Sequence, residues 1–199
     1  MPTELKEKLL EAKVIAILRG IRPEEAIPFC EILAEEGILF PEIPLNTPGA
    51  LSIIGLLANR FRGSGVHIGA GTVLSAGAAE EAVRAGAEYI LSPNTDPAVI
   101  RRTLELGRLP IPGFQTPTEA LLALESGAEL LKFFPCASPE SVTVLKSVIP
   151  APIFAVGGIC TENRAGYLAA ADGVGVGIGI CRPGISPQEL RNNVRNFMK

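Results

Sequence analysis

The chain of 199 residues carries 18 basic against 21 acidic side chains, a formal charge of -3, with 47% apolar and 20% charged residues. That balance suits one domain with a substantial core and excludes disordered and fibrous chains, and the absence of a polycationic stretch argues against a nucleic-acid partner. No apolar segment approaches the roughly 20 uninterrupted residues that cross a bilayer, and MPTELKEKLLEAK lacks the apolar run of a signal peptide, so no membrane association and a cytoplasmic location are expected.

After that N-terminal segment, eight short apolar runs follow in chain order: VIAIL (14–18), ILFPEIPL (38–45), HIGAG (67–71), YILSP (89–93), LPIPG (109–113), LLKFFP (130–135), PIFAVGG (152–158) and GVGVGIG (173–179). Unbroken apolarity over a few residues points to strands covered on both faces, as in a parallel sheet. From the third run onward the starts are about 21 residues apart, room for one strand, one helix of about three turns and two short loops.

The segments between them have helical apolar spacing, as in PEEAIPFCEILAEEG (23–37), AGAAEEAVRAG (76–86), DPAVIRRTLELG (96–107) and TPTEALLALESG (116–127). Each closes on a glycine, Gly37, Gly86, Gly107 or Gly127, where a left-handed residue ends a helix and turns the chain back. Asp96-Pro97 and Thr116-Pro117 read as a cap followed by a first-turn proline. AGAEYILSP (85–93) echoes SGAELLKFFP (126–135), each a helix end running into a strand.

Eight such alternations without a composition break predict a single domain over 1–199, a closed (β/α)8 barrel with an extra N-terminal helix, ahead of an open doubly wound sheet. Pro110 and Pro112 fit poorly in the fifth strand, because they remove ladder donors. Cys30, Cys136, Cys160 and Cys181 are far apart and form no C-x-x-C pair, which reads as buried thiols rather than zinc ligands or a disulfide framework. The single histidine, His67, rules out multi-histidine metal sites and reads as a core residue. No metal and no cofactor is expected.

Barrel chemistry gathers where strands end. Lys132, inside LLKFFP, either reaches outward or points into the barrel mouth, where desolvation would lower its pKa and ready it to attack a ketone. Glu42, inside FPEIPL, is either a proton-transfer group or the partner of a structural ion pair with Lys132. Arg19 closes the first run and is either a surface charge or an anion ligand. Thr72 follows a glycine turn and could place a hydroxyl on a reacting carboxylate. Gly157 and Gly158 end the seventh run and Gly177 the eighth, where exposed N–H groups bind phosphate in many barrels, although close packing also selects glycine.

Taken in order, IAILRG (15–20), EIPLN (42–46), GAGTVL (69–74), KFFP (132–135) and VGG (156–158) resemble the KDPG/KHG aldolase family over essentially the whole chain. The resemblance implies a (β/α)8-barrel class I aldolase, usually trimeric and without a metal, acting on a small 2-keto-3-deoxy (phospho) sugar acid. It implies Lys132 as the Schiff-base amine, Glu42 as the general acid/base and Thr72 as a hydroxyl on the keto acid. Arg19, Asn46, Asn94, Gly157, Gly158, Gly177 and Ile178 make up the implied substrate-binding set. Asn46, where gluconate-type members carry an arginine, resembles the galactonate type, which points to 2-dehydro-3-deoxy-6-phosphogalactonate. The alternatives are the phosphogluconate epimer and 4-hydroxy-2-oxoglutarate, the latter suggested by Ile178 in place of a serine and by a short loop after Pro135. More remote are a sugar-phosphate-binding barrel that is not an aldolase and a catalytically inert assembly subunit.

Overall fold

The computed structural model describes residues 2–199. Its elements are α1 (Pro2–Ala12), β1 (Val14–Ile17), α2 (Pro23–Glu35), β2 (Pro41–Pro44), α3 (Ala50–Arg60), β3 (Gly69–Gly71), α4 (Ala76–Ala85), β4 (Tyr89–Leu91) and α5 (Pro97–Glu105). They continue with β5 (Leu109–Ile111), β6 (Gly113–Phe114), α6 (Pro117–Glu125), β7 (Leu131–Phe133), α7 (Pro139–Lys146), β8 (Ile153–Val156), α8 (Arg164–Ala170), β9 (Gly173–Val176) and α9 (Pro187–Met198). All pairings are parallel, in the order β5-β4-β3-β2-β1-β9-β8-β7-β6.

The two ends of that order are consecutive in the chain, separated only by Pro112. They are halves of one barrel strand: β5 pairs with β4 (Pro110 opposite Ile90) and β6 with β7 (Gly113 opposite Lys132). Proline has no N–H to give, yet its carbonyl still accepts, and Lys132 N–H donates to Pro112 O at 2.9 Å. The prolines therefore break the fifth strand without opening the barrel, and the eight expected strands become nine segments.

Helix boundaries follow the local signals. The Asp96 side chain accepts from Ala98 N–H at the start of α5, Thr116 and Glu119 form a reciprocal cap on α6, and Gly86 ends α4 at φ 116°. Cys30, Cys136 and Cys181 are buried free thiols, as expected, while Cys160 is half-buried. His67 departs from its strand-core reading. It lies in the loop before β3, its ring stacked on Phe40 and its Nδ1 2.9 Å from Glu88 Oε2.

Alternation along each strand divides the core in two. Outward residues such as Ala16, Ile43, Ala70, Ile90, Leu131, Phe133, Ala155 and Val174 pack under the helices. Inward residues Ile15, Phe40, Tyr89, Leu109, Leu130 and Phe154 fill the barrel, and α1 closes its N-terminal end with Leu5 and Leu9. Glycines stand inward where a neighbour is large: a Cβ on Gly69 would lie 2.3 Å from the Tyr89 ring, and one on Gly173 2.3 Å from the Phe154 ring. Among the described residues no helix is long and apolar enough to cross a membrane.

Candidate active site

The inward face continues upward from this plug. Two residues beyond Phe40 is Glu42, two beyond Leu130 is Lys132, and two beyond Ile17 is Arg19, so the three charged side chains belong to the layers nearest the C-terminal mouth. Glu42 is 3% exposed and Lys132 7%. Burial pushes the Glu42 carboxyl above its ordinary range, opposed by the nearby cations of Lys132 and then Arg19. Burial pushes the Lys132 ammonium down, opposed by Glu42 and reinforced by Arg19. Each of Lys132 and Glu42 feels the other's charge, with no hydrogen bond between them.

Glu42 has its own seat. Gly71 on β3 faces it, and a Cβ there would fall 1.4 Å from Glu42 Oε1, so no other residue leaves room for the carboxyl. Immediately after Gly71, Thr72 takes φ 56°, a left-handed conformation rare for a β-branched residue and costing on the order of 1–3 kcal/mol. A strained residue held at the mouth end of a strand, half-buried beside the carboxylate's seat, is what site pre-organisation looks like in a backbone.

Phe134 stands two residues past Lys132, with its ring centroid 4.9 Å from Nζ, and forms part of the wall of a cavity of about 450 Å³. Arg19, Gly157, Gly158, Gly177 and Ile178 also line that cavity, so five of the sequence-selected residues meet at one place, beside the buried pair. Gly157 and Gly158 have φ 131° and 63°, and nothing lies within 4 Å of where a Cβ on Gly158 would be, which leaves its surroundings open to a ligand. Ile178 is 80% exposed on this rim.

Asn46 is exposed and bonded to the site through Arg19, whose Nη1 donates to Asn46 Oδ1 at 2.7 Å. Asn94 is exposed beyond β4 and is not among the residues lining the cavity. Sequence reasoning missed Phe134 and Gly71. Phe134 was legible from the two-residue period shared with Lys132; Gly71 depends on a cross-strand neighbour. A second cavity of about 460 Å³, lined by Arg62, His67, Glu88 and Arg108, lies at the opposite end of the barrel, away from Lys132. Among the described residues no three His, Cys, Asp or Glu side chains are grouped as a metal site.

A parallel barrel with a desolvated amine and a desolvated carboxyl at its mouth, beside an anion-suited glycine cavity, defines an enzyme built for carbonyl chemistry. The model of the KDPG and KHG aldolase family matches residues 5–192, and the chain belongs to that family of carbon–carbon lyases. It is 41% identical over 189 residues to the probable 2-dehydro-3-deoxy-6-phosphogalactonate aldolase of Rhizobium meliloti (strain 1021), covering 92% of this chain and 88% of the relative. It is 39% identical over 191 residues to the 2-dehydro-3-deoxy-6-phosphogalactonate aldolase of Escherichia coli (strain K12), covering 94% and 93%. A solved structure described as native KDPGal superposes with a TM-score of 0.89 at 38% identity, covering 92% of this chain and 91% of that one.

Proposed function

We propose that this chain is a class I aldolase that cleaves 2-dehydro-3-deoxy-6-phosphogalactonate to pyruvate and D-glyceraldehyde 3-phosphate, with Lys132 as the covalent amine. The observation that carries the reading is the pair itself: an amine that burial drives toward its neutral form beside a carboxyl that burial drives toward its protonated form. The two relatives named for this substrate supply the substrate identity.

The steps follow from the chemistry of a neutral amine beside a protonatable carboxyl. Neutral Lys132 Nζ adds to the C2 carbonyl, and the carbinolamine loses water to give a protonated imine. Glu42, as carboxylate, takes the C4 hydroxyl proton; the C3–C4 electron pair moves into the imine as an enamine, and the aldehyde leaves. Glu42 then returns a proton toward C3, and water releases pyruvate and the free amine. A carboxyl with a raised pKa suits both the acid and the base role. Thr72 offers its hydroxyl to the keto-acid carboxylate. Arg19 and the backbone of Gly157, Gly158, Gly177 and Ile178 hold the distal anion, with Asn94 at the edge of the binding set. Asn46 brings an amide to the distal half of the substrate and, in this reading, sets the preferred C4 epimer.

Borohydride reduction in the presence of pyruvate is expected to add a pyruvyl mass at Lys132, and an unmodified Lys132 would overturn the covalent assignment. Side by side, pyruvate release is expected to be faster from the phosphogalactonate epimer than from the phosphogluconate epimer, with equal or reversed rates counting against Asn46 as the discriminator. The exposed apolar side chain of Ile178 on the cavity rim favours a second reading, 4-hydroxy-2-oxoglutarate cleavage, and that compound is the third substrate of the assay.

The family resemblance and the exposed Leu121 and Leu122 of α6 and Val144 of α7, with Val148 just beyond it, support a homotrimer. Sedimentation equilibrium is expected to give three times the 20.9 kDa chain mass.

A further inference from the structure

Arg19 is the single charged side chain lining the distal cavity among the described residues, and it is exposed. A long guanidinium on an exposed turn loses rotamer freedom when an anion fixes it, so its prior placement bears directly on affinity. The β1–β2 ladder holds the chain only up to Leu18, whose N–H donates to Glu42 O at 2.9 Å. One residue past Arg19, the next bond comes from a side chain: Gly20 N–H donates to Thr47 Oγ1 at 3.0 Å.

Thr47 is suited to that task. It is 3% exposed, and its own backbone is tied down on both sides, its N–H donating to Pro44 O at 2.9 Å and its carbonyl accepting from Ala50 N–H at 3.1 Å. Gly20 takes φ 72°, so the turn that presents Arg19 uses a conformation that side chains rarely adopt. The neighbouring Asn46 reaches the head of the same side chain, accepting from Arg19 Nη1 at 2.7 Å. One dipeptide at the end of β2 therefore holds Arg19 at its root and at its tip, and the Asn46 amide nitrogen remains available to the substrate.

We propose that Thr47 is a positioning residue of this site: through Gly20 it extends the β1–β2 ladder past Arg19 and, with Asn46, presents the guanidinium to the anionic distal group of the substrate. The proposal rests on the aldolase reading for the identity of that substrate, but not for the anion that Arg19 holds.

The experiment compares wild type, Thr47→Ser, Thr47→Val, Arg19→Gln and the Thr47→Val/Arg19→Gln double variant. For cleavage of 2-dehydro-3-deoxy-6-phosphogalactonate, Thr47→Val is expected to lower kcat/KM about tenfold, mainly through KM, and Thr47→Ser, which keeps the oxygen, to stay within about twofold of wild type. In the Arg19→Gln background the valine is expected to add nothing, because residues acting through one group are not additive. Borohydride trapping of pyruvate at Lys132 is expected to survive in Thr47→Val. Calorimetry with inorganic phosphate follows the same ranking without turnover. An undiminished Thr47→Val, a serine variant as damaged as the valine, or an equal loss on top of Arg19→Gln would overturn the proposal. Failure of wild type to trap pyruvate would overturn the aldolase reading alone, with the phosphate ranking still deciding the role of Thr47.

Discussion

The two ends of the barrel are built from the same strands, a few residues apart, to opposite specifications. At the N-terminal end Leu9 of α1 is fully buried on Phe40, Tyr89, Leu109, Leu130 and Phe154, and the buried Tyr89 hydroxyl donates to Pro41 O at 3.0 Å. Around that end Lys6 is ion-paired with Glu129, and His67 Nδ1 is hydrogen-bonded to Glu88. At the mouth, the positions two residues beyond Phe40 and Leu130 hold Glu42 and Lys132, both desolvated and not hydrogen-bonded to each other. Backbone strain at Thr72 adds to that cost. The lower layers supply stability, and the upper layers hold groups that cost it.

The largest effect separating the two ends is expected at Lys132. Lys132→Met should reduce cleavage on the order of 10⁴-fold or more, because the covalent route is lost. Combined with Glu42→Leu, it should leave the fold more stable by about 1–4 kcal/mol in urea unfolding, as an apolar replacement of buried charges often does. A double variant less stable than wild type would mean that the mouth charges hold the barrel together. Leu9→Ala should do the reverse, costing about 2–5 kcal/mol of stability while leaving kcat of the folded enzyme unchanged. Next comes Gly71→Ala, whose methyl would occupy the Glu42 carboxyl position. Activity should fall on the order of 10²-fold, with urea unfolding shifted much less than in Leu9→Ala.

Most of the fold was legible because strand and helix signals are local: apolar runs, caps such as Asp96 and Thr116, and glycines such as Gly86 that end helices. The split at Pro112 was visible as two misplaced prolines but not as a solution, since only the closed barrel shows that the Pro112 carbonyl still serves Lys132. In the site, Lys132 and Glu42 stood out as charges in apolar runs. Gly71 and Thr47 did not, because their significance lies across a strand boundary, in the space the Glu42 carboxyl needs and in the backbone donor left at Gly20. His67 read as a strand residue because its apolar run starts two residues before the ladder does.

The smallest effect is the most specific to the mouth. Desolvation lowers the Lys132 pKa from its ordinary 10.5; the Glu42 carboxylate opposes that change and Arg19 adds to it. Glu42→Gln removes the opposing charge, so the pH profile of Lys132 acylation, followed residue by residue by mass spectrometry, should move to lower pH. Arg19→Gln removes the reinforcing charge and should move it to higher pH. The stability linkage has a definite sign as well. Because the folded pKa lies below the unfolded one, Lys132 penalises the folded state fully at pH values below its folded pKa, and the penalty disappears as pH rises toward 10.5. The stability that Lys132→Met gains by removing this penalty should therefore shrink as pH rises. Acylation profiles that stay at the wild-type position in both glutamine variants would show that burial alone governs the amine, and the three charges would no longer count as one electrostatic unit.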